Sequence, residues 1–521
     1  MALQQAIGFV SLPDSDFLLY IYLKDVDWSW LGYDIHLSRE IFMNIKLGEL
    51  LVRERIITTA QLAEAAELQK KMSGRLGDAL VSLGHIDSGQ LEHFFRNVPP
   101  LPRKVSDTGL SQAFLMDLLL KIAYFETGVF TLQVIAEKIC LPIGVVGELT
   151  QAAKAERLVM VRSANGYGVT THTFELTELG TQRAERALRQ CEYAGAAPVP
   201  LTDYTAMVFH QTVRQIEIDA KWVRNSLSQL VLGSKLLEQI GPAFNSGRSI
   251  FLYGPPGTGK SSIAEGLARS LSGEVYIPYA VEVDGHVLSV FDPAIHVKVG
   301  PDEKPDEKQL DREAKFTHDP RWLICQRPMA MVGGELDIGS LDLDYDPVSK
   351  FYEAPIHMKA ANGVFILDDF GRQQIAPRLL LNRWIVPLER GTDFLELHTG
   401  KKFEVPFDQI TIFCTNLKPS ELVDEAFLRR IRHKIMVGYQ TEEEFLETLR
   451  QVCKTQGMGC ENSMAEYLLE TYYRAKKRPL VGSHPRDLVD QIVDRARFKK
   501  IKPELNREAI DAAAANYFVE L

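Results

Sequence analysis

Along the chain the apolar positions change period, and each change marks an element. Residues 110–126, 131–140 and 143–157 carry apolar side chains at helical spacing, and a short Leu141-Pro142-Ile143-Gly144 turn joins the second run to the third. The pattern becomes alternating over 159–177, on either side of Asn165-Gly166, a dipeptide that favours a tight hairpin turn. Thr177 then stands where an N-cap belongs, ahead of a helix ending near Gln190. Residues 205–240 read as helical. Two later runs, Ile250 to Tyr253 and Val364 to Leu367, are short and continuously apolar, as strands buried on both faces are. The first 45 residues share no pattern with the rest and read as a separate extension, with Met43 as an alternative start.

Two segments near the start align in register: KLGELLVRERIITTAQLAEAAELQ at 46–69 and RLGDALVSLGHIDSGQLEHFFRNV at 75–98. Leu47/Leu76, Gly48/Gly77, Leu51/Leu80, Val52/Val81, Ile57/Ile86, Gln61/Gln90 and Leu62/Leu91 match, which marks one small unit built twice. Each copy reads as a short helix, a turn and a second helix. Thr58 or Thr59, and Asp87 or Ser88, are the candidate N-caps. Clustered prolines at 99–104 and the Pro/Ala-rich stretch from 193 read as linkers. The expected organisation is therefore an extension (1–45), a tandem-repeat helical module (46–98), a three-helix-plus-hairpin module (105–195), a linking helix (196–240), an α/β core (241–438) and a C-terminal helical segment (439–521).

Composition narrows the function. A net charge of −10 and a pI near 5.7 argue against coating nucleic acid through bulk charge. Six cysteines without a C-x-x-C pair read as free thiols in a reducing compartment. FLLYIYL at 17–23 is far shorter than the ~20 residues of a membrane span, and no basic segment precedes it. The expectation is a cytoplasmic protein with no membrane insertion.

The chemistry lies at the ends of the two apolar strands. Ile250–Tyr253 runs into Gly254-Pro255-Pro256-Gly257-Thr258-Gly259-Lys260-Ser261-Ser262 and then a helix, the G-x-x-x-x-G-K-[ST] pattern in strand–loop–helix context. The glycines let backbone N–H groups turn inward toward phosphate, and the helix N-terminus adds partial positive charge. Lys260 is placed to neutralise β- and γ-phosphates, and the Ser261 hydroxyl to ligate Mg²⁺. Val364–Leu367 ends in Asp368 and Asp369. Asp368 would hold Mg²⁺ beside the phosphate loop, and Asp369 would orient the attacking water. Paired acids at a core strand tip are tolerable where a metal and phosphates share the space.

With these motifs in hand, 241–521 resembles an AAA+ ATPase. QITIFCTN at 409–416 resembles the sensor 1 strand, ending in Asn416. DEAFLRRIRHKI at 424–435 resembles the arginine-finger segment, with Arg429 or Arg430 as the finger. SHPRDLVDQI at 483–492 resembles sensor 2, with Arg486 in a helix of the lid. The resemblance implies a parallel sheet flanked by helices with a C-terminal helical lid. It implies Mg-ATP hydrolysis and remodelling of a protein partner. It also implies a homo-oligomeric ring, usually a hexamer, in which the finger reaches the neighbour's nucleotide and Arg486 reaches its own. The chain departs from the family at Asp369, where Glu is usual. One methylene less leaves the carboxylate roughly 1.5 Å short, and a misplacement of about 1 Å can cost ~100-fold in rate. Slow hydrolysis and a nucleotide-binding switch are the two readings, and slow hydrolysis is favoured because every other working part is present. Between the loop and the acids lies a long insert, 284–360, with a charged stretch at 301–315. Phe351, Tyr352 and Met358 in it are candidates to contact a substrate, or core residues.

The tandem repeat resembles the N-terminal domain of type II secretion and type IV pilus ATPases, one branch of which binds cyclic di-GMP through paired 24-residue motifs. The positions carried over are Lys46, Leu47, Gly48, Leu62 and Gln69 in the first copy, and Arg75, Leu76, Gly77, Gly84 and Leu91 in the second. Lys46 replaces the motif's first Arg, Arg55 a Gly, Ala66 a Leu and Val98 the final Gln. Cyclic di-GMP binding and ligand-free docking on secretion or pilus machinery both remain open. The middle module resembles a winged helix, a fold that often binds DNA through its third helix. Ten Lys/Arg against ten Asp/Glu over 103–200 favour protein docking instead. An ATP-gated DNA-binding regulator is therefore the alternative, lowered further by the absence of GAFTGA. LSGE at 271–274 falls short of the ABC signature LSGGQ, and the GTPase motif N-K-x-D is missing.

Overall fold

The structure, a computed structural model, describes residues 57–72, 76–86, 98–164, 172–299, 318–422 and 428–518. It divides into two units, 1–94 and 95–521. The first unit contains the helices Thr59–Met72 and Leu76–Ser82. Thr58 begins the first of them: its hydroxyl accepts from Gln61 N at 3.3 Å, and Gln61 Oε1 accepts from Thr58 N at 2.8 Å, a reciprocal cap. Ile57 and Ile86, equivalent in the repeat, are both buried, in a small core with Ala65, Ala79 and Leu80. Gly84 adopts φ 71° just after the second helix. Gln69, Leu76 and Gly77 lie in these helices, whereas Lys46, Leu47, Gly48, Arg75 and Leu91 lie outside the described residues.

The second unit opens with helices Gln112–Phe125, Leu132–Ile139 and Ile143–Ala155. A three-stranded antiparallel sheet accompanies them: β1 (Val129–Thr131), β2 (Val159–Ala164) and β3 (His172–Leu176), ordered β1-β3-β2. Helix Glu178–Gln190 follows, capped by Thr177 Oγ1 accepting from Gly180 N at 3.0 Å. One cluster including Leu115, Leu119, Ile135, Val146, Leu149 and Phe174 holds these elements together.

Residues 196–240 do not form the linking helix expected of them. They contain β4 (Val199–Pro200) and the helices Leu201–His210 and Ala220–Ser226, and a third helix, Ser234–Asn245, spans their end. The reason is tertiary: Val199 pairs with Val281, and Tyr204, Met207 and Val208 are buried in the core of the insert. The strands that follow are β5 (Ile250–Tyr253), β6 (Glu274–Pro278), β7 (Ala280–Val283), β8 (His286–Ser289), β9 (Trp322–Gln326), β10 (Met329–Val332), β11 (Asp344–Tyr345), β12 (Tyr352–Glu353), β13 (Val364–Leu367), β14 (Thr392–Glu396), β15 (Lys402–Pro406), β16 (Ile410–Thr415) and β17 (His433–Met436).

A parallel five-stranded sheet, β10-β13-β16-β5-β17, forms the centre. Alternation splits its side chains between two layers. Ile250, Leu252, Val364, Ile366, Ile410 and Ile412 face one core, with Ile263 and Leu267 of helix Lys260–Ser270. Phe251, Phe365, Leu367 and Phe413 face the other, with Leu380 and Trp384 of helix Pro377–Arg390. Burial on both faces explains why these strands lack polar alternation. A second sheet, β11-β12-β8-β7-β4, carries the insert. Tyr352 and Met358 are each 1% exposed inside it, so neither can touch a passing substrate. Phe351 packs edge-on against Tyr193 of the middle module, with ring centroids 5.6 Å apart. The charged stretch 301–315 lies outside the described residues. Helices Glu442–Thr455, Asn462–Leu468, His484–Lys499 and Arg507–Tyr517 close the chain around their own core of Phe445, Leu449, Leu468, Tyr473, Val489 and Ile510. No helix among the described residues is long and apolar enough to cross a membrane.

Candidate functional site

The site forms where β5, β13 and β16 end on the same edge of the parallel sheet. After Tyr253 the chain turns through Gly254 (φ 145°), Gly257 (φ 73°) and Gly259 (φ 91°) before helix Lys260–Ser270 begins. Gly254 is required by space as well as by angle: a Cβ there would lie 2.2 Å from the Val437 carbonyl oxygen, beside the strand that pairs with β5. Gly254→Ala is expected to push the loop off β17 and abolish nucleotide binding. Titration with a fluorescent ATP analogue checks this, and near-normal affinity would mean the loop tolerates the shift.

Lys260 is 6% exposed and donates to the carbonyls of Gly254 at 3.1 Å and Pro255 at 2.7 Å. Burial pulls its ammonium below the ordinary value, against the opposing influence of Cys414, Asp368 and Asp369. Thr258 is buried and donates to the Pro255 carbonyl at 3.0 Å, which braces the loop, while Pro256 and Ser262 are exposed. Ser261 Oγ donates to Asp368 Oδ1 at 2.6 Å. These residues are 107 positions apart in sequence and meet because β13 and β5 flank β16 in register. Two hard oxygens converging beside a glycine-turned loop are of the kind that could hold Mg²⁺.

Asp369 is exposed, and its backbone is left-handed at φ 46°. Asp and Asn enter that region more readily than other non-glycine residues, so the local backbone favours the shorter acid. Its Oδ1 accepts from Asn416 Nδ2 at 3.2 Å, and its N–H donates to Asp368 Oδ1 at 3.0 Å. Neighbouring bonds fix the turn: Phe370 N donates to Cys414 O at 2.7 Å, and Thr415 Oγ1 to Phe370 O at 2.6 Å. Gln373 Nε2 donates to Asp368 O at 2.9 Å. Gln373 carried no sequence signal, because its role depends only on the turn closing over it.

The C-terminal helices meet the loop through Ser483, whose N–H donates to Gly257 O at 3.0 Å. A Cβ on Gly257 would come within 2.8 Å of Ser483 Oγ and 2.7 Å of Val481. Arg486 sits one turn further along helix His484–Lys499, with a side chain 66% exposed and 3.8 Å from Asp487. Arg429 and Arg430 are not brought to this site. They precede β17, whose start pairs with the start of β5, at the sheet edge opposite the phosphate loop. There they line a cavity of about 410 Å³ with Arg248, Arg432, Leu388 and Glu389, and Arg430 Nε lies 2.7 Å from Glu389.

A family described as a domain of unknown function, DUF8689, matches residues 441–516, the C-terminal helices. Over 52 residues the chain is 48% identical to the type IV pilus assembly ATPase PilB of Myxococcus xanthus, a stretch covering 10% of this chain and 9% of that protein. Among solved structures, NtrX from Brucella abortus in complex with ADP aligns at 13% identity with a TM-score of 0.33, covering 66% of this chain and 62% of that one. The RuvB Holliday junction branch migration motor of Thermotoga maritima aligns at 13% identity with a TM-score of 0.29, covering 58% of this chain and 71% of that one. The two structural likenesses, at these TM-scores, add nothing to what the contacts above establish. The site is a glycine-turned loop and buried lysine facing two strand-tip acids and an asparagine.

Proposed function

We propose that residues 241–521 are an ATP-hydrolysing motor of the AAA+ kind, working as a ring that remodels a protein partner. The observation that carries the reading is the convergence of Lys260, Ser261, Asp368, Asp369 and Asn416 at one sheet edge. Lys260 meets the β- and γ-phosphates in place of the loop carbonyls it now holds. Ser261 and Asp368 would hold Mg²⁺, and the bound ion would supply positive charge beside the phosphates. Asp369, positioned by Asn416, orients the water. Arg486 reaches the nucleotide from the lid. Arg429 or Arg430, facing away from this chain's own loop, serves the nucleotide of a neighbouring copy. A hexamer is the expected ring.

The middle module is a winged-helix-like relay docked on the motor, with DNA reading the less favoured alternative. Glu148 of its third helix accepts from Val105 N at 3.0 Å, so one of that helix's polar side chains serves the module itself. The tandem module senses cyclic di-GMP or docks on secretion or pilus machinery. The 52-residue likeness to a pilus assembly ATPase supports the link to pilus machinery. The test is steady-state ATP turnover with and without cyclic di-GMP, with Lys260→Ala as the blank. Turnover that responds to the dinucleotide supports both assignments. Turnover that ignores it keeps the motor and leaves the front module a docking element. No turnover above the blank, with nucleotide still bound, recasts the chain as a switch.

A further inference from the structure

The cysteines of this chain are not chemically alike. Burial pushes the Cys140 and Cys325 thiols up to about 11 and raises Cys414 as well, so all three are poor nucleophiles. Cys453 and Cys460 form a pair. Cys453 sits in the last turn of helix Glu442–Thr455, fully buried beside Phe445, Leu449 and Met458. The chain then reverses: Gly457 is left-handed at φ 68°, and Met458 N donates to Cys453 O at 2.8 Å. The reversal returns Cys460 to the core that Cys453 enters, and both side chains pack there. Cys460 is half-buried at the rim of this core.

A cation completes the arrangement. Arg450 lies one turn before Cys453 and reaches across the reversal, its Nη2 3.4 Å from Oδ1 of Asn462, two residues beyond Cys460. The neighbouring Cys453 and the charge of Arg450 hold the Cys460 thiol below its ordinary value. The neighbouring Cys460, together with burial, pushes Cys453 up. One sulfur is thus an accessible nucleophile and the other a sheltered thiol within reach of it.

We propose that Cys453 and Cys460 are a redox-sensitive modification site, at which Cys460 reacts with a hydroperoxide and Cys453 closes an intramolecular disulfide. The Cys460 thiolate attacks one oxygen of hydrogen peroxide, the O–O bond breaks, and the departing hydroxide takes a proton to become water. The sulfenic acid left on Cys460 is then attacked by the Cys453 sulfur, the S–O bond breaks, and the Cys453 proton leaves with the oxygen as a second water. Two thiols lose two electrons in all, and the peroxide is reduced to two waters. The bond ties the last turn of Glu442–Thr455 to the start of Asn462–Leu468. This proposal is independent of the ATPase reading.

The experiment treats the full chain with stoichiometric hydrogen peroxide, alkylates the remaining thiols and maps the peptides by mass. The expected result is a 453–460 link, a loss of about 2 Da that dithiothreitol reverses. Cys460 should be oxidised at least about 10-fold faster than Cys140, whose raised thiol is the internal control. Cys453→Ser should stop the reaction at a sulfenic acid on Cys460 that dimedone captures. Cys460→Ser, a change at the rim, should leave Cys453 unoxidised in the folded chain. Cys453 and Cys460 remaining unlinked, or Cys140 oxidising as fast as Cys460, would overturn the proposal.

Discussion

Asp369→Asn is expected to lower ATP turnover by about 10²–10⁴-fold, the usual loss when a proton-transfer group is neutralised, while nucleotide affinity stays close to that of the unaltered chain. The substitution is nearly isosteric, and Asn tolerates the left-handed backbone at φ 46° as well as Asp does. Its amide oxygen can still accept from Asn416 Nδ2, the 3.2 Å contact that orients the side chain. The exposed position adds no buried unpaired group. What disappears is the negative charge that would act on the attacking water. Lys260→Ala should behave differently, losing affinity and turnover together, because it removes the proposed phosphate ligand and frees the Gly254 and Pro255 carbonyls. Phosphate release alongside a fluorescent-nucleotide titration separates the two. Unchanged turnover in Asp369→Asn would take Asp369 out of the chemistry.

The second large effect is structural. Arg321→Ala is expected to destabilise the second unit by about 3–5 kcal/mol, the typical cost of leaving one partner of a buried ion pair uncompensated. Arg321 and Asp319 are each 3% exposed at the side chain and paired through Nη2 to Oδ2 at 2.7 Å and Nε to Oδ2 at 2.9 Å. Arg321 Nη1 also donates to the carbonyls of Thr108 at 2.9 Å and Pro198 at 3.1 Å. Asp319 N donates to Pro99 O at 3.0 Å. One guanidinium therefore joins the start of the middle module, the segment leading into β4 and the approach to β9. Its loss strands a carboxylate and two carbonyls. Urea unfolding measures the cost. Changing Asp319 and Arg321 together to Leu and Met should recover much of it, because the stranded charge then goes too. A loss under about 1 kcal/mol in Arg321→Ala, the range of an exposed pair, would mean that water reaches the cluster.

Several elements were readable in advance because their physics is local. Alternating positions around the hairpin, Thr177 as a cap and the two continuously apolar strands each depend on a short local stretch. The matched core positions Ile57 and Ile86 follow from a repeat that needs no knowledge of the fold. The stretch 205–240 misled because helical spacing alone does not tell where a helix must stop. Burial of Tyr204 and Val208 in the insert, and the start of β4 at Val199, set those limits. Tyr352 and Met358 looked equally suited to a surface loop and to a core, since apolar side chains serve both.

What the sequence determined by itself is the glycine spacing of the loop before Lys260 and the pair of acids after Leu367. Glycine spacing governs where backbone N–H groups can point, and a buried strand ending in carboxylates needs a positive partner. Only the tertiary structure decided which oxygens meet. It brought Ser261 to Asp368, turned Asp369 into a left-handed backbone that favours the shorter acid, and set Arg429 and Arg430 at the opposite sheet edge. It also enclosed Arg321 among segments more than a hundred residues distant. These outcomes rest on strand order and on burial shared between remote parts of the chain, and no local pattern carries that information.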